Sequence, residues 1–169
     1  MNTSATFGNS SPSRAATAAE LEAAYHATTY LIRPKSGKLP LRIGEHSPEL
    51  EKLLAKSNCE HWAFISAANP ESKRLSEAAN AKRHRQLLAP LSELKLPYYT
   101  GDGVPDVPNW PIEPGFFICG IALEKALEIG KQYGQVAILA GKRGTTPQLH
   151  YCIERQPAHL PITELMHGY

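Results

Sequence analysis

Residues His61–Pro70 read HWAFISAANP, an apolar strand that runs straight into a helix start. Trp62, Phe64 and Ile65 carry the bulk that pleated, buried surfaces favour. Asn69 and Pro70 form a capping pair: a side chain able to hold a helix N-terminus, then a residue whose missing N–H is no loss at that position. Such a strand belongs inside a sheet. Its exit, marked by Ser66 and Asn69, is where ladder pairing stops and unpaired backbone N–H groups begin, a common position for a ligand.

Toward the N-terminus, Ala15–His26 is rich in Ala and Glu and predicts a helix. The pattern then switches at Thr28-Thr29 to a strand through Tyr30-Leu31-Ile32. Pro34–Gly37 reads as a turn and Leu39–Ile43 as a second strand, together a hairpin. Ser47-Pro48-Glu49 opens a short helix lasting to about Ser57, with Leu50, Leu53 and Leu54 as its buried stripe. Residues before about Arg14 are rich in Ser, Thr, Asn and Gly and predict a disordered tail, leaving 15–169 as one globular domain.

Toward the C-terminus, Pro70 to about Leu88 predicts one long helix, made basic by Lys73, Arg74, Lys82, Arg83, His84 and Arg85. Leu96–Thr100 reads as a short strand, Gly101–Pro114 as a proline-rich loop, and Gly115–Ile121 as a strong strand. A helix from Leu123 to Tyr133 follows, with Gly134 as its C-terminal cap. Val136–Ala140 and Leu149–Glu154 are the last strands, joined by a loop at Gly141–Pro147. The fold class is thus α+β, an α/β sandwich with a mostly antiparallel sheet. From His61 the order matches a ferredoxin-like βαββαβ core, preceded by a helix and a β-hairpin. In that topology Ser66, Asn69, the loop bearing Trp110 and Glu113, and Gln135 share one edge.

The composition of the 169-residue chain, 42% hydrophobic and 20% charged, is that of a globular protein. No apolar run reaches the roughly 20 residues of a membrane span, and no secretion pattern opens the chain, so the expected location is cytoplasmic. Three cysteines, Cys59, Cys119 and Cys152, are expected to stay reduced. A net charge of +2 favours no partner class.

Several strings in order resemble a bacterial family catalogued as domain of unknown function three-two-nine-three. They are Thr29-Tyr30, Leu41–Gly44, Trp62–Ala67 with Asn69-Pro70, Asn80, Trp110 with Glu113 and Gly115-Phe116, and Tyr133–Gln135 with Ala137. The likeness spans about Tyr25 to Ala140. Ser66 stands where the family usually has threonine and keeps the hydroxyl. The resemblance implies kinship and no mechanism.

The candidate ligand-binding residues are Arg42, Ser66, Asn69, Trp110 and Gln135, with Glu113 as the candidate catalytic acid or base. An amide, a guanidinium and a carboxylate beside a helix start would fix a polar or anionic molecule. The competing structural reading makes Asn69 a cap and pairs Arg42 with Glu113. Cys59, His61, His150 and Cys152 lack zinc spacing, so no metal and no cofactor are expected. Gly141–Thr146 departs from the phosphate-loop order and reads as a basic hairpin loop. The expected function is binding of an unidentified polar or anionic small molecule at one sheet edge, as an enzyme of unknown reaction in one form of that reading. The alternative is a non-catalytic regulatory or interaction module that contacts nucleic acid or protein through the basic helix.

Overall fold

The computed structural model describes residues 16–153. In chain order the elements are α1 (Ala18–His26), β1 (Thr28–Ile32), β2 (Leu39–Leu41), α2 (Pro48–Lys56), β3 (His61–Ser66), a 3-10 turn (Pro70–Ser72), α3 (Glu77–Glu93), β4 (Tyr98–Pro105), β5 (Glu113–Cys119), α4 (Leu123–Gln132), β6 (Ala137–Lys142) and β7 (Gln148–Tyr151). The expected tail before Arg14 and the segment after 153 lie outside the described residues. The seven strands form one sheet in the order β2-β1-β4-β5-β3-β6-β7, and every neighbouring pair is antiparallel. The fold is α+β, as the sequence implied.

β3 is apolar along its length because both faces of the sheet are covered. Trp62 and Phe64 point to one side, where they pack with Leu50 and Leu54 of α2 and with Tyr30, Phe117 and Leu139. Ala63 and Ile65 point to the other, against Leu87 and Leu91 of α3 and Ala126 and Ile129 of α4. The strand's period-2 alternation therefore sorts residues between two cores rather than between core and water. Gly115 on β5 is required by this packing. A Cβ there would lie 2.5 Å from the Phe64 ring and 2.8 Å from the Ile65 carbonyl oxygen.

The expected single helix from Pro70 to Leu88 is corrected. Only a 3-10 turn forms at Pro70–Ser72, and α3 begins at Glu77 behind a Ser76 cap that accepts from the Ala79 N–H. Asn69, Glu71 and Ser72 have positive φ (47°, 55° and 58°), so the chain turns too sharply here for an α-helix to start. α3 then continues past Leu88 and through Pro90 to Glu93. Pro90 cannot donate to the Gln86 carbonyl four residues earlier, and the Tyr133 hydroxyl donates to that oxygen instead, at 3.0 Å.

A second correction concerns β4, which reaches Pro105 rather than stopping at Thr100. Its turn-forming residues Gly101, Asp102 and Gly103 are held extended by pairing on both sides, Gly103 opposite both Tyr30 and Glu113. The predicted loop of residues 101–114 shrinks to 106–112 accordingly. No helix among the described residues is long and apolar enough to cross a membrane.

Candidate functional site

The end of the sheet where β3 and β4 finish and β1, β5 and β6 begin is open, and a cleft of about 260 Å³ sits there. Ser66, Asn69, Trp110, Glu113 and Gln135, chosen from the sequence, all line it. Three separate stretches of chain are thus brought together. α1 covers one side through Glu20, Leu21 and Tyr25, and the aromatic rings of Tyr25, Tyr30, Phe64 and Trp110 form much of the wall.

Glu113 is the polar hub. Its Oε1 accepts from Asn69 Nδ2 and from Trp110 Nε1, each at 2.7 Å. Burial raises its pKa above the ordinary carboxyl value, and the two donors from Asn69 and Trp110 oppose that rise. No lysine, arginine or histidine lines the cleft among the described residues. Arg74 lies over the Trp110 ring at 5.9 Å without joining the lining. Burial, and next the Glu113 carboxylate, push the Tyr25 hydroxyl up, while a hydrogen bond with Ser72 acts in the opposite direction. Tyr30 is likewise raised, first by burial and then by Tyr25 and Glu113.

Asn69 is fixed through its N–H and both ends of its side-chain amide. Its N–H donates to Asn80 Oδ1, and its Oδ1 accepts from the Leu75 N–H and from Asn80 Nδ2, all at 2.9 Å. The backbone donor from Leu75 sets the amide's orientation and so aims Nδ2 at Glu113. Asn69 is therefore not the cap that the sequence suggested, since its side chain makes no capping bond to the 3-10 turn. A helix N-terminus at Pro70 is likewise not part of the site, because three residues of 3-10 turn align too few N–H groups.

The motif Tyr133–Gln135 clamps this segment from behind. Gln135 Nε2 donates to the Ala68 carbonyl at 3.0 Å, the Glu71 N–H donates to the Gly134 carbonyl at 2.7 Å, and Arg83 bridges the Ala67 and Tyr133 carbonyls. Ser66 ties the exit of β3 to the start of β5, donating to the Pro114 carbonyl at 2.7 Å and accepting from the Ala68 N–H. Its hydroxyl is structural in this geometry.

Arg42 is not in the cleft. Its guanidinium makes a two-pronged bond to Asp106, at 2.9 and 2.8 Å, and also holds Thr29 Oγ1 and the His26 carbonyl. The pairing of Arg42 with Glu113 considered from the sequence is thus replaced by Arg42 with Asp106, whose carboxyl that bond holds below its ordinary pKa. Sequence reasoning also missed Asn80 as a positioning residue, and Tyr25, Tyr30 and Phe64 as walls. Asn80 carried a signal, since it stood among the family-like strings. Tyr25 carried none, because its place depends on how α1 folds back.

Cys59 sits in the core under α2 and Cys152 packs near α4, on opposite faces of the sheet. Among the described residues no group of three or more histidine, cysteine and acidic side chains is placed to hold a metal ion. Burial, and next the adjoining Cys59 thiol, push the Cys119 thiol up to about 12. The two basic segments also separate. Lys82 and Arg85 are exposed on α3, whereas Arg143 in the β6–β7 loop bonds Glu60 and the Leu54 carbonyl on the α2 side.

The class is thus an α+β protein with a recessed carboxylate cleft at one end of an antiparallel sheet. A family model described as "Protein of unknown function (DUF3293)" matches residues 65–138, which supports the family resemblance of this part of the chain. The match contains every cleft residue from Ser66 to Gln135, while the strings at Thr29-Tyr30 and Leu41–Gly44 lie outside it. No curated protein and no solved structure matches the chain.

Proposed function

We propose that the chain binds a polar small molecule in the cleft at the end of the sheet, with Glu113 as its principal contact and an available acid or base. One observation carries the reading: a carboxylate recessed in a cleft is held by two neutral N–H donors from different segments, with no cation in the lining among the described residues. A purely structural carboxylate at this depth is ordinarily paired with a charge. Here one oxygen is fixed and the other has no described donor, the arrangement of a group kept for a partner. A raised pKa brings a carboxyl closer to the range in which it exchanges protons with substrates.

We also read the segment from His61 as a ferredoxin-like βαββαβ core. The run β4-β5-β3-β6, its antiparallel neighbours and the shared face of α3 and α4 support it. The β1–β2 hairpin and β7 would then be additions at the two edges. Three free thiols favour a cytoplasmic location.

Native mass spectrometry of freshly purified, untagged protein tests the binding reading. The expected result is a stoichiometric adduct on the wild type that is missing from Glu113→Gln, with both proteins melting cooperatively. An adduct held equally by both proteins refutes the site. So does a bare wild type whose melting temperature is moved by no member of a panel of small polar amines, alcohols and acids.

A further inference from the structure

If the cleft is the ligand site proposed above, its unpaired acceptors and its charge favour one chemical class of occupant. Four of the donors that line it are turned into the protein. The indole N–H of Trp110 and one N–H of Asn69 go to Glu113, one N–H of Gln135 goes to the Ala68 carbonyl, and the Ser66 hydroxyl goes to the Pro114 carbonyl. The acceptors are left over. Both donors to Glu113 fall on Oε1, and Oε2 has no described donor. Gln135 turns its Nε2 toward Ala68, which leaves its Oε1 without a described donor as well.

Charge points the same way. The lining contains the Glu113 carboxylate and, among the described residues, no basic side chain. An anion entering would meet a recessed carboxylate with no basic side chain among the described lining residues to offset it, so the anionic half of the sequence expectation finds no support there. A cation would supply the charge that Glu113 lacks, through the stronger, charge-assisted kind of hydrogen bond. The walls suit a cation also, since Tyr25, Tyr30 and Phe64 contribute aromatic surface of the kind that attracts positive charge. A bare metal ion does not fit, because no three ligating side chains converge among the described residues.

We propose that the cleft binds a small organic cation, a primary ammonium on a compact apolar or planar body, whose N–H groups bond Glu113 Oε2 and Gln135 Oε1. The apolar body lies between the rings, and the remaining ammonium hydrogen faces the open mouth. Neutral amides and alcohols fill the same space with weaker bonds, and carboxylates are excluded.

The test uses three probes with one body and three charges: benzylammonium, benzyl alcohol and benzoate. Each is titrated into the full-length protein, with binding read from Trp110 fluorescence and from amide shifts of Asn69 and Gln135. Benzylammonium is expected to bind about tenfold or more tightly than benzyl alcohol, as a charge-assisted bond in a recessed site would give, and benzoate not at all. Glu113→Gln should remove the preference and leave the two neutral-like affinities equal. Should that variant fail to fold, the wild type supplies a second measurement: benzylammonium affinity must fall as acid protonates Glu113, while benzyl alcohol affinity stays flat. Equal binding of alcohol and ammonium would overturn the cation assignment and leave the cleft a neutral-ligand site. Tighter binding of benzoate would overturn it as well, and so would binding by none of the three. An adduct seen by native mass spectrometry would keep the broader binding reading alive in any of these cases.

Discussion

Gly134 is the position at which backbone geometry and the candidate site are tied most directly, so replacing it with alanine isolates their connection. α4 ends in a six-residue closure in which the Gln135 N–H reaches the Gly130 carbonyl at 2.9 Å and the Gly134 N–H the Lys131 carbonyl at 3.0 Å, with Gly134 at φ +72°. An alanine there faces the left-handed penalty of about 1–2 kcal/mol. Its Cβ would also stand 2.7 Å from Pro70 Cβ, and a rigid pyrrolidine ring cannot swing aside. Overpacking of that kind costs about 1–3 kcal/mol more. The sum, about 2–5 kcal/mol, corresponds to a melting temperature lower by roughly 5–15 °C in a domain of this size. Gly144 supplies the control. Its φ is +75°, and nothing lies within 4 Å of the Cβ position. Gly144→Ala should therefore show the backbone penalty alone, about 1–2 kcal/mol. Urea and thermal unfolding of both variants measure the difference. Because the Gly134 carbonyl also holds the Glu71 N–H, Gly134→Ala should disturb the Asn69 amide resonances, and Gly144→Ala should not. Equal losses in the two variants would refute the claim that Pro70 is pressed against the cap of α4.

Three further outcomes are expected. Glu113→Gln should gain melting temperature over the wild type as pH rises: the raised pKa means the fold holds this proton more tightly than the unfolded chain, so the group's stabilising contribution is present in acid and lost as pH climbs from the ordinary value of 4.5 through the folded one. Melting curves at pH 4 and pH 8 check this, and a gap that does not widen would refute it. Asn80→Ala should destabilise by about 1–3 kcal/mol in urea, despite alanine's higher helix propensity, because it leaves the buried Asn69 N–H unpaired. Tyr133→Phe should lose about 0.5–1.5 kcal/mol by freeing the Gln86 carbonyl, and that loss should shrink in a Pro90→Ala background, where residue 90 supplies the missing donor. Additive effects in the double variant would refute the substitution of the tyrosine hydroxyl for the absent N–H.

The parts of the fold that were legible in the sequence are those whose local signals agree with their tertiary surroundings. α2 is an example: Ser47 caps it, Pro48 opens it, and Leu50 and Leu54 supply a stripe that buries completely. The hairpin of β1 and β2 is another, closed by a bond from the Gly37 N–H to the Pro34 carbonyl. α3 and β4 were misread because long-range contacts override local preference there. Asn69-Pro70 has the chemistry of a helix start, yet Asn80, Leu75 and Glu113 engage the side-chain amide that a cap would use. Gly101, Asp102 and Gly103 have the chemistry of a turn, yet two flanking strands pair with them.

The same distinction explains the candidate site. Five of six residues chosen from the sequence meet in one cleft, because the topology brings the exit of β3, the start of β5 and the approach to β6 to one end of the sheet. Arg42 does not meet them, because β2 is the edge strand farthest from β7 and its exit faces Asp106 in the β4–β5 loop. Its removal from the set reverses the electrostatic character that the residue types alone implied. A guanidinium beside Asn69 and Gln135 would have made an anion site. With that guanidinium held by Asp106, the carboxylate of Glu113 is left to set the charge, and that is why the proposed ligand is one that brings donors and positive charge of its own.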